Sequence, residues 1–132
     1  MKLQIGVKLL VQNHEGEYLF IKRTKLLQNE SKVSWDIPGG RIESNEYLEA
    51  ALKREVYEEI GYTLESPLLL INAQDIFVEA KDLHVVRLTY TTNVDVATVH
   101  LSDEHQDAVW LSLQNAKNSV TEPFLRKTLD LL

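Results

Sequence analysis

Three glutamates spaced for one face of a helix are the residues of this chain best suited to chemistry. Glu55, Glu58 and Glu59 stand at i, i+3 and i+4, positions that are neighbours on a helix surface. Like charges at these spacings repel, and each pair costs an isolated helix roughly 0.2 to 0.5 kcal/mol. A hard divalent cation offsets this repulsion, because Mg²⁺ binds carboxylates together with water and phosphate oxygens. A solvated acidic face is the alternative, since charge runs usually are one.

The element that must position these glutamates is a helix ending at Gly61. No Gly or Pro interrupts the chain between Gly40 and Gly61, and a glycine is a common C-terminal cap. Ser44 or Asn45 is the predicted N-cap, because either side chain can accept a bond from a first-turn amide. An apolar stripe recurs every fourth residue and predicts the buried side of the helix. It consists of Leu48, Leu52, Val56 and Ile60.

A longer pattern of glycines and charges surrounds the three glutamates. It consists of Gly40, Glu46, Arg54, Glu55, Val56, Glu58, Glu59 and Gly61. This spacing resembles the signature box of the Nudix hydrolases, and average residue frequencies make a chance match at so many fixed positions rare. The residues from Trp35 to Pro38 resemble the usual lead-in to that box. Tyr62 departs from it, since the family usually has an aliphatic residue there, at a position that packs rather than reacts.

The resemblance implies both a fold and an activity. The expected fold is α/β, a Nudix-type α/β/α sandwich with a mixed central sheet, in a single domain over residues 1–132. The expected activity is divalent-metal-dependent hydrolysis of a diphosphate linkage in a nucleoside diphosphate derivative, such as a nucleoside triphosphate or a nucleotide sugar. The alternative is a Nudix-fold module that binds or senses a nucleotide without hydrolysing it, although such a module would be expected to lose some of the box acids.

The resemblance also implies the metal ligands. Glu58 and Glu59 are expected to hold Mg²⁺ or Mn²⁺, with the Gly39 carbonyl as a further oxygen ligand. Glu55 is expected to bind a second ion or to orient and deprotonate the attacking water. Glu104 resembles an acidic ligand that many family members carry in a loop before a Trp-bearing strand. Neighbouring His105 fits less well, because such a site prefers oxygen ligands.

Four arginines complete the expected site. Arg54 is grouped with the catalytic glutamates, in a supporting role: it points about 100° away from Glu55 on a helix and is expected to pair with Glu46, fixing the preceding loop. Arg23, Arg41 and Arg87 are the candidate contacts for substrate phosphate, since arginine binds phosphate through two donors at once. For Arg23 and Arg87, solvent-exposed or paired strand arginines are the alternative. Trp35 could stack on a base, but packing against the core is expected.

The rest of the chain predicts strands and one more helix. Apolar residues alternate from Met1 to Val11, and Tyr18 to Ile21 reads as the returning strand of a hairpin. A polar loop without periodicity follows at residues 24–34. Further strands are predicted at residues 68–78, 84–94 and 108–111, the first two as a second hairpin. The last helix is expected to start with Thr121 as N-cap and to pack through Leu125, Leu129 and Leu132.

Composition limits the range of partners. The 132 residues carry a formal net charge of -6, which argues against binding nucleic acid or an anionic membrane unassisted. The chain has no cysteine, which excludes disulfides and the catalytic cysteine of isopentenyl diphosphate isomerase, an enzyme of the same fold. The N-terminal residues do not resemble a signal peptide or a membrane span. We therefore expect a cytoplasmic protein that acts on a small nucleotide, and a homodimer would agree with this expectation.

Overall fold

The computed structural model describes residues 1–26, 34–94 and 99–132. It contains strands β1 (Lys2–Gln12), β2 (Tyr18–Arg23), β3 (Trp35–Asp36), β4 (Gly39–Arg41), β5 (Leu69–Val78), β6 (Leu83–Asn93) and β7 (His105–Leu111), and helices α1 (Leu48–Ile60), α2 (Leu113–Ser119) and α3 (Pro123–Leu129). Most of the loop predicted at residues 24–34, and part of the connection before β7, lie outside the described residues. Within the described ranges no helix is long and apolar enough to cross a membrane.

The sheet is mixed, as predicted, and is built around β1. The strand order is β3-β2-β1-β6-β5, with β4 beside β1 and β7 beside β2. β1 runs parallel to β6 from Lys2 to Gln12 and antiparallel to β4. In the first predicted hairpin, β1 and β2 pair with each other only beside the turn, at Gln12 and Tyr18. Along its length β2 pairs with β7 instead. The second hairpin, between β5 and β6, is confirmed.

Two apolar clusters on opposite sides of the sheet form the core. On one side, Leu52, Val56 and Ile60 of α1 pack against Leu9 of β1 and its neighbours. On the other, Leu10 packs with residues of α2 and α3. Successive residues of a strand point to opposite faces, so β1 serves both clusters. The result is the α/β/α sandwich that the sequence predicted.

The start of α1 differs from the prediction. Tyr47 occupies the N-cap position and makes no side-chain cap bond, while Asn45 has a left-handed φ of 65°. Glu46 closes a turn before the helix, since its amide donates to the Glu43 carbonyl and its Oε1 accepts from the Glu43 amide. The helix therefore begins only at Leu48, which is 36% exposed rather than buried. Its end is as predicted, because Gly61 is left-handed and caps the Tyr57 carbonyl.

The C-terminal helices also differ in detail. Glu122, not Thr121, caps α3, because its Oε2 accepts from the Leu125 amide at 2.6 Å. Leu125 and Leu129 are buried as predicted, but α3 ends at Leu129 and Leu132 is 39% exposed. The sequence did not predict α2, whose N-cap is the Ser112 side chain.

Candidate active site

A cleft of about 700 Å³ opens beside the acidic edge of α1. Its walls carry both signs of charge. The acidic residues are Asp36, Glu55, Glu58, Glu59, Asp103, Glu104 and Glu122; the basic and imidazole residues are Lys8, Arg23, Arg41, Arg87 and His105; Ser34, Trp35, Gly39, Gly40 and Ser102 complete the lining. The structure thus brings every residue of the predicted site except Arg54 to the wall of one cleft, and Arg54 bonds to Glu55 from beside it.

The packing of α1 sets the depth of the three glutamates in this cleft. Because Val56 and Ile60 are fully buried against the sheet, the neighbouring carboxylates lie along the edge of the helix. Glu59 is the deepest, at 9% exposed, and Glu55 is partly buried, whereas the side chain of Glu58 is 56% exposed. The three carboxylates therefore line the cleft from its floor to its mouth.

Both carboxylate oxygens of Glu59 have a close polar neighbour. Its Oε1 accepts from the Gly39 amide at 2.7 Å, and its Oε2 lies 3.3 Å from Nε2 of His105. Burial raises the pKa of Glu59 to about 7, although Lys8 and the Gly39 amide act in the opposite direction. The sequence singled out the Gly39 carbonyl as a ligand, whereas the contact seen here uses the Gly39 amide.

Arg54 connects the loop before α1 to the glutamates. Its Nε and one terminal nitrogen donate to the two carboxylate oxygens of Glu46, at 2.8 and 3.0 Å. These bonds lower the pKa of Glu46 to about 2, and they confirm the predicted ion pair. Arg54 also donates to Oε1 of Glu55 at 2.9 Å and lies 3.5 Å from Glu58. The sequence pattern did not predict these last two contacts, which make Arg54 a direct neighbour of the acidic edge.

The donor chemistry of this edge fits a hard divalent cation, because it offers carboxylate oxygens and one of them belongs to a buried Glu59 whose charge is costly without a cation. In the side-chain positions seen, however, no three His, Asp or Glu groups among the described residues converge closely enough to hold a metal ion. In these positions Arg54 donates to Glu55, and the Gly39 amide donates to Glu59. A bound cation would have to compete with these bonds.

The three candidate phosphate contacts all reach the cleft. Arg23 lies 3.4 Å from Asp36 Oδ2, and Arg87 lies 3.7 Å from Glu122, so the paired state considered for Arg87 is the one seen. Arg41 donates to Gln4 at 3.0 Å. Burial, together with the charge of Arg87, lowers the pKa of Arg41.

Sequence reasoning did not assign four charged residues of the cleft wall to the site: Lys8, Asp36, Asp103 and Glu122. Lys8 Nζ lies 3.1 Å from Asp36 Oδ2 and donates to the Ile37 carbonyl. Lys8 lies on the same face of β1 as Leu10, and its pairing with Gly39 on β4 places it beside the cleft. The nearest signal in the sequence was Asp36 itself, a charge placed within the apolar lead-in to the glycines.

Trp35 and Glu104 are also found at the cleft. Trp35 packs against the second apolar cluster, as expected, and Lys22 Nζ lies 4.3 Å from the centre of its ring. Glu104 is exposed, and its backbone carbonyl accepts from the Thr24 amide at 2.8 Å, which ties the turn before β7 to the end of β2. Tyr62 packs against the first apolar cluster, as its place in the box predicted.

Comparison with known proteins gives consistent results. The family model for the NUDIX domain matches residues 2–132. A nucleoside triphosphatase of Escherichia coli is 28% identical over 137 aligned positions, covering 92% of this chain and 91% of that protein. A putative 8-oxo-dGTP diphosphatase of Bacillus subtilis is 37% identical over 57 residues, covering 43% of this chain and 34% of that protein. Unlike the alignment with that triphosphatase, the alignments with the first curated relatives cover only about a third of the relative, so the chain spans about a third of their length. The crystal structure of a MutT protein from Methanosarcina mazei superposes with a TM-score of 0.84 at 27% identity, covering 97% of this chain and 91% of that one.

Proposed function

The chain belongs to the NUDIX domain family, and from that premise we propose that it hydrolyses a diphosphate linkage in a nucleoside diphosphate derivative. Enzymes of this family generally use a divalent metal and act on small nucleotide substrates. The observation that carries the proposal is the cleft itself, because Glu55, Glu58 and Glu59 line the same cavity as Arg23 and Arg87. The arginines would bind a chain of phosphates, and the acidic edge of α1 would supply the metal ligands.

Mg²⁺ or Mn²⁺ is the cofactor we propose. Glu58 and Glu59 would hold it, with the Gly39 carbonyl and Glu104 as further oxygen ligands. When bound, such an ion lowers the pKa of water, bridges phosphate oxygens and neutralises the charge that develops on the leaving group. The support from this chain is the buried Glu59 carboxylate, whose burial disfavours the ionised form and which a cation would stabilise.

Glu55 is the residue we propose to orient the attacking water and accept its proton, unless it binds a second ion instead. Arg54 binds Oε1 of Glu55, so the proton would be taken up at Oε2. Arg54 acts as a positioning residue, since it also holds Glu46 and, through the Arg41 carbonyl, strand β4 with Gly39 and Gly40. These assignments predict that loss of either Glu55 or Arg54 lowers turnover more than it raises KM.

Arg23, Arg41 and Arg87 are the residues we propose to bind the substrate phosphates. Burial, and after it the charge of Arg87, lowers the pKa of Arg41, so the two guanidiniums are close enough to repel each other. An anionic phosphate between them would relieve that repulsion and accept two donors from each guanidinium. Nucleoside triphosphates are the first substrates to test, because the relative that aligns with 92% of the chain is named a nucleoside triphosphatase.

The test is phosphate or pyrophosphate release from a panel of (d)NTPs, nucleotide sugars, dinucleoside polyphosphates and ADP-ribose with Mg²⁺ or Mn²⁺. We expect Glu58→Gln and Glu59→Gln to lower turnover at least about 100-fold, since losing a ligand costs no less than losing a group that orients one. Glu49→Gln is the matched control, because Glu49 is exposed on the first turn of the same helix. Near wild-type turnover in both cleft variants would refute the metal assignment. Nucleotide binding without any phosphate release would favour the sensor alternative.

The remaining expectations stay predictions. They are a single domain over residues 1–132, a cytoplasmic location, a homodimer and the absence of nucleic-acid and membrane partners. The first and third are tested together by limited proteolysis and by light scattering of the purified chain.

A further inference from the structure

A buried histidine at the start of β7 contacts the deepest glutamate of the cleft. The side chain of His105 is only 5% exposed. Its Nε2 lies 3.3 Å from Oε2 of Glu59, and its Nδ1 lies 3.1 Å from the hydroxyl of Ser102. Both ring nitrogens therefore face polar groups of the protein, which fixes the plane of the imidazole.

The same glutamate also anchors the turn that carries this histidine. The Ser102 amide donates to the backbone carbonyl of Glu59 at 3.0 Å, and the His105 amide donates to the Ser102 carbonyl at 3.1 Å. The contacts thus form a closed ring from the Glu59 backbone through Ser102 and His105 to the Glu59 carboxylate. Just before it, the His100 amide donates to the Ile60 carbonyl, so the turn is tied to the end of α1 at two successive helix residues.

The two carboxylate oxygens of Glu59 contact different elements of the fold. The Gly39 amide holds Oε1, and His105 faces Oε2. A carboxylate only accepts hydrogen bonds, so the proton of a neutral imidazole belongs on Nε2, and Nδ1 then accepts from the Ser102 hydroxyl. The bond from the Gly39 amide and the contact with His105 thus act on different oxygens, and together they restrict rotation of the carboxylate about its last bond.

We propose that His105 is a positioning residue that, supported by Ser102, fixes the Glu59 carboxylate in the orientation required to bind a divalent cation. This inference rests on the proposed function, since it requires Glu59 to be a metal ligand. Groups that orient the ligands of a metal typically contribute a factor of about 10 to 100 to metal affinity. His105 is not itself a ligand in this proposal, which agrees with the preference of such sites for oxygen.

A matched pair of substitutions separates this role from simple filling of buried space. His105→Gln places an amide donor near the former Nε2 and can still donate to Glu59. His105→Asn places its amide near the former Nδ1, where it reaches Ser102 but not Glu59. The Asn and Gln side chains are both polar amides, so a packing role alone predicts no advantage for Gln at equal thermal stability.

The readout is Mn²⁺ affinity, measured by the electron paramagnetic resonance signal of free Mn²⁺ with the full chain, alongside the melting temperature of each variant. We expect His105→Asn to weaken Mn²⁺ binding by about 10 to 100-fold and His105→Gln by less than about 5-fold. Ser102→Ala should fall between them. His100→Asn is the control, because His100 is exposed on the same connection and should leave Mn²⁺ affinity unchanged.

Equal Mn²⁺ affinity in the Asn and Gln variants would overturn the proposal, whether both match the wild type or both lose binding equally. If His105→Asn does not fold, the comparison of Ser102→Ala with the wild type decides in the same way, and unchanged affinity overturns the proposal. Failure of the underlying function is distinguishable. In that case the wild type releases no phosphate from any nucleotide and Glu59→Gln binds Mn²⁺ as well as the wild type does.

Discussion

The Glu55 carboxylate lies against the Cα atom of Gly40, in the space that any side chain at position 40 would need. An ideal Cβ built on Gly40 would lie 2.5 Å from Cδ of Glu55 and 2.6 and 2.7 Å from its two oxygens. Such distances are well inside van der Waals contact. The second glycine of the pair is thus required by the glutamate beside it, and the two residues together define this part of the cleft.

Gly40→Ala should therefore lower activity far more than stability. The new methyl group would meet the far end of a flexible side chain, so Glu55 can swing away without unfolding the protein. A displacement of about 1 Å of a catalytic group can cost about 100-fold in rate, and we expect a loss of that order in kcat, with a melting temperature close to that of the wild type. Gly6→Ala is the control, because its Cβ would lie 3.7 Å from the nearest atom. Equal kcat for the two variants would contradict this account.

Gly39→Ala should, by contrast, lower the stability of the protein. Gly39 has a φ of +145°, and its Cβ would overlap the backbone carbonyl of Val7 and the Cα atom of Lys8, neither of which can move freely. Backbone strain and overpacking each cost about 1 to 3 kcal/mol. We expect urea denaturation to show a loss of at least about 2 kcal/mol in the free energy of unfolding. A variant as stable as the wild type would show that β4 can separate from β1 without cost.

The ion pair between Glu46 and Arg54 should make stability depend on pH in a defined window. Bonds from Arg54 lower the pKa of folded Glu46 from its ordinary 4.5 to about 2. A lowered folded-state pKa gives stability that is complete above the unfolded-state pKa and is lost as the pH falls through the folded-state value. The melting temperature of the wild type should therefore exceed that of Glu46→Gln at neutral pH, and the difference should shrink between pH 4.5 and about 2. A difference that is the same across this window would contradict the pairing.

Leucines at the two ends of the α1 stripe should differ in their contribution to stability. Leu52 is fully buried, whereas Leu48 is 36% exposed. Truncating a buried leucine to alanine typically costs about 2 to 5 kcal/mol, and Leu52→Ala should fall in that range in urea denaturation. Leu48→Ala should cost less than about 1 kcal/mol, because the Leu48 side chain already exposes part of its apolar surface to water in the folded protein. Equal losses would mean that the first turn of the helix packs as the sequence pattern suggested.

Local patterns in the sequence predicted the parts of the site that one helix carries. The stripe at Leu52, Val56 and Ile60 sets the buried side of α1, and helical geometry then places Glu55, Glu58 and Glu59 along its edge. Gly61 ends the helix for a reason that is also local, since glycine adopts the left-handed conformation without strain. The pair of Arg54 and Glu46 was predicted from helical geometry, since Arg54 points about 100° away from Glu55 on a helix.

The parts that were missed depend on contacts between distant segments. Lys8 enters the cleft because β1 pairs with β4 at Gly39, and His105 reaches Glu59 because the turn before β7 bonds to the end of α1. Neither register can be deduced from hydrophobic periodicity, which fixes only the face of each residue. The N-cap of α1 was predicted wrongly for a different reason. A turn closed by hydrogen bonds between Glu43 and Glu46 comes before the helix, so the N-cap position falls at Tyr47 and not at Asn45.

The parallel pairing of β1 with β6 also has a consequence for biosynthesis. The pairs run from Lys2 with Leu83 to Gln12 with Asn93, so β1 is synthesised well before the strand with which it forms this pairing. Pairings between such distant segments form slowly, and an unpaired apolar strand is prone to self-association while it waits. We therefore expect nascent β1 to be open to self-association until residue 93 has been translated.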